Sequence, residues 1–220
     1  MPRALTEAEI EAFRDRLCAA ATRRFAELGY EGVSMRGLAA DVGCSPMTPY
    51  TYFKDKEDIF AAVRAAAFKR LADLLEDLAA QHSDPLERGR VMGDAYLDFA
   101  LSEHDCYKIM FELTQPDEQA YPDLVAQVAR CRRLMIQPTR TLVREGILSG
   151  EPEAVWQMFW AGVHGVIVLH LTGKLLPGTG IHDLYAEVLG ALMRGVRGPN
   201  FHQIEHTLFA APAMAGEAES

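Results

Sequence analysis

Apolar residues recur every three or four positions along nearly the whole chain, and no stretch of four to eight residues alternates as a half-buried strand would between turn signals. That periodicity predicts an all-α fold. Ile10, Phe13, Leu17, Ala21, Phe25 and Leu28 make the first stripe, and Gly29 follows it as a stop signal. Ser34 is placed to cap a short helix from Met35 to Val42, Gly43 ends it, and Ser45 with Pro46 at the first helical position opens a second short helix. Asp55 is placed to cap a long helix carrying Ile59, Phe60, Val63, Ala67, Leu71, Leu74 and Leu78. Asp84-Pro85 opens a helix to about Leu101, a shorter one lies near Cys106 to Leu113, and residues 115–122 read as a loop. A helix from Pro122 to Leu148 should kink at Pro138. Helices at Pro152 to Leu171 and Asp183 to Val196 complete the set, separated by a break at Gly173 to Gly180.

With 220 residues, 49% of them hydrophobic, the chain has material for one or two domains around a sizeable core. The N-terminus turns charged at once, with no apolar leader core, and no run of about 18 apolar residues occurs, so neither export nor membrane insertion is expected. Cys18, Cys44, Cys106 and Cys131 include no CxxC pair, which argues against a disulfide framework or cysteine zinc site and for a reducing cytoplasm. Net charge is −9, yet residues 1–70 hold 11 basic and 10 acidic side chains, leaving 11 and 21 for the remainder. The acid is therefore concentrated in the larger C-terminal part, and the N-terminal part is free to approach phosphate. The expected division is a head at 1–55, a body at 56–198, and a mobile tail at 199–220.

The stretch from Ser34 to Phe60 has the pattern of a helix-turn-helix: Leu38, Ala39 and Val42 face a core, and Gly43 permits the tight turn. The second short helix is small, hydroxylated or aromatic on its outer side, with Ser45, Thr48, Tyr50, Thr51 and Tyr52, groups suited to a major groove. Its first backbone N–H groups face a phosphate on this reading, Lys56 adds a point charge, and Ser34 belongs to the same surface. Arg36 has two readings, bidentate recognition of guanine or a surface ion pair with Asp41 or another acid.

Ser45, Thr48, Tyr50, Tyr52, Phe53, Lys56 and Glu57 stand in the spacing of the TetR family of regulators, and residues 7–63 resemble that family. The resemblance implies that Thr48, Tyr50, Tyr52 and Lys56 hold phosphates, that Arg36, Pro46, Met47 and Thr51 approach base edges, and that Phe53 is core. Pro49 departs from it, since the family usually has an aliphatic residue there; it removes one early helical hydrogen bond. Double-stranded operator DNA, a second copy of the chain and a small-molecule effector are the implied partners, with no cofactor and no metal.

Trp160, His164 and Gly165 resemble the W-x-x-x-H-G pattern of one C-terminal subclass of the same family. Two glycines inside this helix, Gly162 and Gly165, each cost about 1 kcal/mol against alanine, so a close approach by another backbone is expected to compensate, as at a dimer interface. Val166 and Leu169 on this helix, with Leu184, Val188 and Leu192 on the last, would join it as a four-helix bundle between copies, unless both are buried core helices of one chain. An effector pocket is sought among Tyr96, Phe99, Tyr107, Met110, Phe111, Trp156 and Trp160, although all serve equally as core. His164 reads first as a hydrogen-bonded core histidine and second as a pocket residue. Without a cationic cluster there, an apolar or aromatic effector is expected.

Two other functions use the same residues differently. His202, Glu205 and His206 spell H-x-x-E-H, the pattern of inverted zinc metalloproteases, but only 14 residues follow to supply another ligand, and the expectation is no enzyme. An effector-independent DNA-binding activator would use the same head.

Overall fold

The computed structural model describes residues 6–112 and 117–205. Among them lie eight α-helices: α1 (Glu7–Leu28), α2 (Met35–Asp41), α3 (Lys56–Gln81), α4 (Pro85–Ser102), α5 (His104–Met110), α6 (Pro122–Arg144), α7 (Pro152–Leu171) and α8 (Ile181–Gly195). The β structure among the described residues is one isolated antiparallel bridge, Leu148 with Arg197. The fold is all-α, as the periodicity predicts. Pro138 stands inside α6 without ending it, and the expected loop before α6 contains a short 3-10 helix, Glu118–Ala120.

The ends of the first three helices follow from their side chains. Thr6 and Glu9 close a reciprocal box on α1, Glu9 N donating to the Thr6 hydroxyl at 3.3 Å and Thr6 N to the Glu9 carboxylate at 2.8 Å. Gly29 ends α1 at φ 68°, a conformation that a side chain would strain. Gly37 N donates to Ser34 Oγ at 3.1 Å and Asp58 N to Asp55 Oδ1 at 2.9 Å, so both expected caps are formed.

The chain forms two compact units: the first runs up to Ser83 and resumes with Arg90–Met135, and the second is Asp84–Gly89 with the chain from Ile136 on. In the first, Leu17, Ala21, Phe25, Leu38, Phe53, Ile59 and Phe60 form a fully buried cluster. Its last member is Ile109 of α5, so the helix-turn-helix core is completed by a residue more than fifty positions beyond the expected head. Lys108 donates to the Ala26 carbonyl near the end of α1, where the helix dipole favours a cation.

In the second unit α7 packs on α8, and Leu142, Leu148, Val155, Met193, Val196, Phe201 and Ile204 make the core. This corrects the expected tail: residues 199–205 are folded, with Phe201 at 4% exposure in a short 3-10 helix and Ile204 at 9%. Ser149 N donates to Val196 O at 2.8 Å and Gly198 N to Ile147 O at 2.8 Å, which fastens this segment to the turn after α6. Residues 206–220 lie outside the described residues. By length and composition α7 is apolar enough to cross a membrane, with a mean hydropathy of 1.4 in its most apolar window. Its Met158, Leu169 and Leu171 are 46%, 41% and 39% exposed.

Candidate nucleic-acid interface

α2 presses Met35, Leu38 and Ala39 into the core and turns Ser34 and Arg36 outward. Asp41 is taken by Arg24 of α1 through two parallel hydrogen bonds, one of 2.7 Å. Asp41 is therefore held by Arg24 and not by Arg36, and Arg36 is exposed. Gly43, at φ 68°, turns the chain, and Cys44 N donates back to Ala39 O at 3.0 Å.

The expected second α-helix is replaced by a different form. Residues 45–48 make a turn, Thr48 N donating to Ser45 O at 3.0 Å, and Pro49–Thr51 make a 3-10 helix. Pro49 is buried beneath it, while Met47 and Tyr50 are 70% and 47% exposed. Ser45, Pro46 and Thr51 are exposed and Thr48 is half-buried, its hydroxyl 2.9 Å from that of Ser45. Tyr52 lies half-buried with its ring 4.7 Å from that of Phe13, and Phe53 is core.

Lys56, expected as a point charge for phosphate, is also a tie within the head: its ammonium donates to Tyr30 O at 3.0 Å, lies 4.1 Å from the centre of the Tyr30 ring, and is 3.8 Å from Glu31. Sequence reasoning missed Arg14. Its guanidinium donates to Tyr52 O at 3.1 Å and stacks 4.5 Å from the Phe53 ring centre, clamping the end of the reading segment to α1. A charged residue beside Phe13 on an amphipathic helix carries no sign of that role.

The expected pocket residues fall in both units. In the first, Tyr96, Phe99, Tyr107 and Met110 are buried and Phe111 is half-buried. The phenol oxygens of Tyr96 and Tyr107 are 3.1 Å apart, and burial, the larger cause, holds the Tyr107 hydroxyl far above its ordinary pKa. An open groove of about 600 Å³ runs between α3 and α4; Leu74, Leu78, Val91 and Phe99 make its apolar wall, Arg70, Arg90, Asp94, Asp98 and Glu103 its charged one, and Phe99 alone of the expected set lines it. In the second unit Trp156 stacks on Trp160 at 6.0 Å, and Trp160 is 5.4 Å from the His164 ring. Burial lowers the His164 pKa, disfavouring the charged imidazolium.

The interface glycines behave differently from each other. A methyl at Gly162 would stand 2.9 Å from side-chain carbons of both Val188 and Leu192, so the close approach expected there is supplied by α8 of the same chain. At Gly165 no atom lies within 4 Å of that position. Val166 is buried, Leu169 exposed, and Leu184, Val188 and Leu192 half-buried.

Among the described residues no group of three or more His, Cys, Asp or Glu side chains is arranged to hold a metal. Glu205 pairs with Arg197 at 3.2 Å, and His206 lies outside the described residues.

Two family profiles match the chain: that of bacterial regulatory proteins of the tetR family over residues 17–63, and that of the tetracyclin repressor-like C-terminal domain over residues 90–193. The HTH-type transcriptional repressor AcnR of Corynebacterium diphtheriae is 33% identical over 73 residues, 33% of this chain and 38% of that protein's length. A TetR family transcription regulator from Marinobacter aquaeolei has the same fold, with a TM-score of 0.70 and 18% identity over 88% of this chain and 100% of that one. The transcriptional regulator FadR from Bacillus subtilis, solved with stearoyl-CoA, also has a TM-score of 0.70, with 16% identity over 83% and 99%. Matched across its helix-turn-helix and across its C-terminal helices, the chain belongs to the tetR family of bacterial regulatory proteins, which are transcription regulators.

Proposed function

We propose that this regulator is a cytoplasmic homodimeric repressor that binds a palindromic operator through residues 34–56 and leaves it when a small apolar or aromatic effector binds. The observation that carries the reading is the surface made by Arg36, Ser45, Met47, Tyr50 and Thr51. All five are exposed, and they stand on a core in which Leu38, Phe53 and Ile59 are buried to within 2%. A backbone so held presents these side chains in a fixed order to a duplex.

Dimerisation is supported by the outer face of α7, where Met158, Leu169 and the open notch at Gly165 are left uncovered within one chain. A dimer carries two reading segments, the number that a palindromic operator calls for, its half-sites one helical turn of about 34–36 Å apart. The groove on α3 is the proposed effector site. α3 also contributes Ile59, Phe60 and Val63 to the head core, so an effector that displaces α3 displaces the reading surface and spoils the spacing. The Bacillus subtilis relative was solved with stearoyl-CoA, whose acyl chain is apolar and whose coenzyme part is anionic; an apolar portion of an effector here would lie on Leu74, Leu78, Val91 and Phe99.

Fluorescence anisotropy on the intergenic DNA upstream of the gene, across a salt series, tests the reading. Saturable binding with a steep salt slope is expected. Arg36→Ala and Tyr50→Ala should weaken it by roughly tenfold, the loss of one good contact of about 1–3 kcal/mol. Variants that bind as tightly as wild type would remove these residues from the interface. Binding that no small molecule relieves would favour the effector-independent activator.

A further inference from the structure

The reading segment is wound more tightly than an α-helix. Thr48 N donates to Ser45 O, Tyr50 N to Met47 O, Thr51 N to Thr48 O and Tyr52 N to Pro49 O, all at 3.0–3.2 Å and each spanning three residues. An α-helix through this stretch would need an N–H at residue 49 to reach the Ser45 carbonyl, and Pro49 has none. The missing donor leaves Ser45 O to Thr48, which closes the turn that begins the segment.

That turn is braced on every side. Its backbone bond is doubled by the 2.9 Å contact between the Ser45 and Thr48 hydroxyls, Pro46 fixes φ at its second position, and Pro49 is buried just after it. Met47 stands at the third position, the tip, 70% exposed. A rigid mount presenting an apolar side chain amid hydroxyls is complementary to a mostly polar surface bearing an isolated apolar group. The major-groove edge of DNA is such a surface, and its apolar group is the C5-methyl of thymine.

We propose that Pro49 sets operator choice by holding residues 45–52 in this turn and 3-10 winding, which presents Met47 to a thymine methyl in each half-site. The inference rests on the DNA-binding reading above. Pro49 is then a positioning residue, and Met47 the reader.

Selection from a random duplex pool by the full-length protein supplies the operator, and each of its thymines is then replaced by uracil, which removes only the methyl. At one thymine or more per half-site the replacement should cost about fourfold in affinity, the worth of burying one methyl-sized group. The penalty should vanish in Met47→Ala and persist in Met47→Leu. Pro49→Ala and Pro49→Leu, checked by circular dichroism for folding, should keep the salt slope but select a different sequence. Equal uracil penalties in wild type and Met47→Ala overturn the role of Met47, whether or not the Pro49 variants fold. A folded Pro49 variant that selects the wild-type operator overturns the role of Pro49. If the wild-type protein selects no sequence at all, the DNA-binding reading has failed and the inference falls with it.

Discussion

Arg24 and Asp41 join α1 to α2 across seventeen residues, and the Arg24 hydrogen bonds hold the Asp41 carboxyl below its ordinary pKa. Each side chain is about a third exposed, so solvent screens the pair and its worth is small. Because the carboxyl titrates lower in the folded than in the unfolded chain, its contribution is complete above about pH 4 and disappears as pH falls through the folded value. Asp41→Asn should therefore lower the urea midpoint slightly at neutral pH, by an amount that shrinks as pH falls through the folded value. A difference that persists in acid would mean that Asp41 acts through shape rather than charge. Arg36 is left exposed by the same pairing, and for that reason it is a sharper test of DNA contact than Lys56, whose replacement would also release Tyr30.

Helix by helix, the chain is legible where apolar spacing and end signals agree. Ser34, Asp55, Gly29 and Gly43 mark boundaries that the structure keeps, because each acts on its own few neighbours. The reading segment is where local signals conflict. Pro46 favours the start of a helix and Pro49 forbids its first interior bond, and only the completed hydrogen-bond pattern shows which prevails. Gly162 and Gly165 look alike in sequence, since nothing local tells which one faces a neighbouring helix. They should separate on substitution. Gly162→Ala forces a methyl against Val188 and Leu192 and should destabilise by about 1–3 kcal/mol. Gly165→Ala meets no neighbouring element among the described residues and should stabilise an isolated chain by up to about 1 kcal/mol through helix propensity. Thermal melts compare the two, and analytical ultracentrifugation of Gly165→Ala shows whether a partner needs the notch. Two variants that melt alike would contradict the packing of α7 on α8.

Across the whole chain, the least legible relation is the longest. No pattern near residue 109 announces that Ile109 belongs with Leu17, Phe25 and Phe60, because side chains distant in sequence share a core only once the chain has folded. Ile109→Ala should cost about 2–5 kcal/mol, lowering the melting temperature and the fraction competent to bind DNA together. An Ile109→Ala protein that melts like wild type would place the residue outside the cooperative core. Arg64 reinforces the connection from α3: at 3% exposure it reaches Glu118 at 2.9 Å and the Met110 carbonyl at 3.4 Å. The same arrangement governs how regulators of this kind are rebuilt. A chimera that grafts residues 1–81, the head with α3, onto a foreign body still leaves behind Ile109 and Lys108, and so uncovers a face of α1. A transplant that carries α5 along with the head should remain soluble where the shorter graft aggregates.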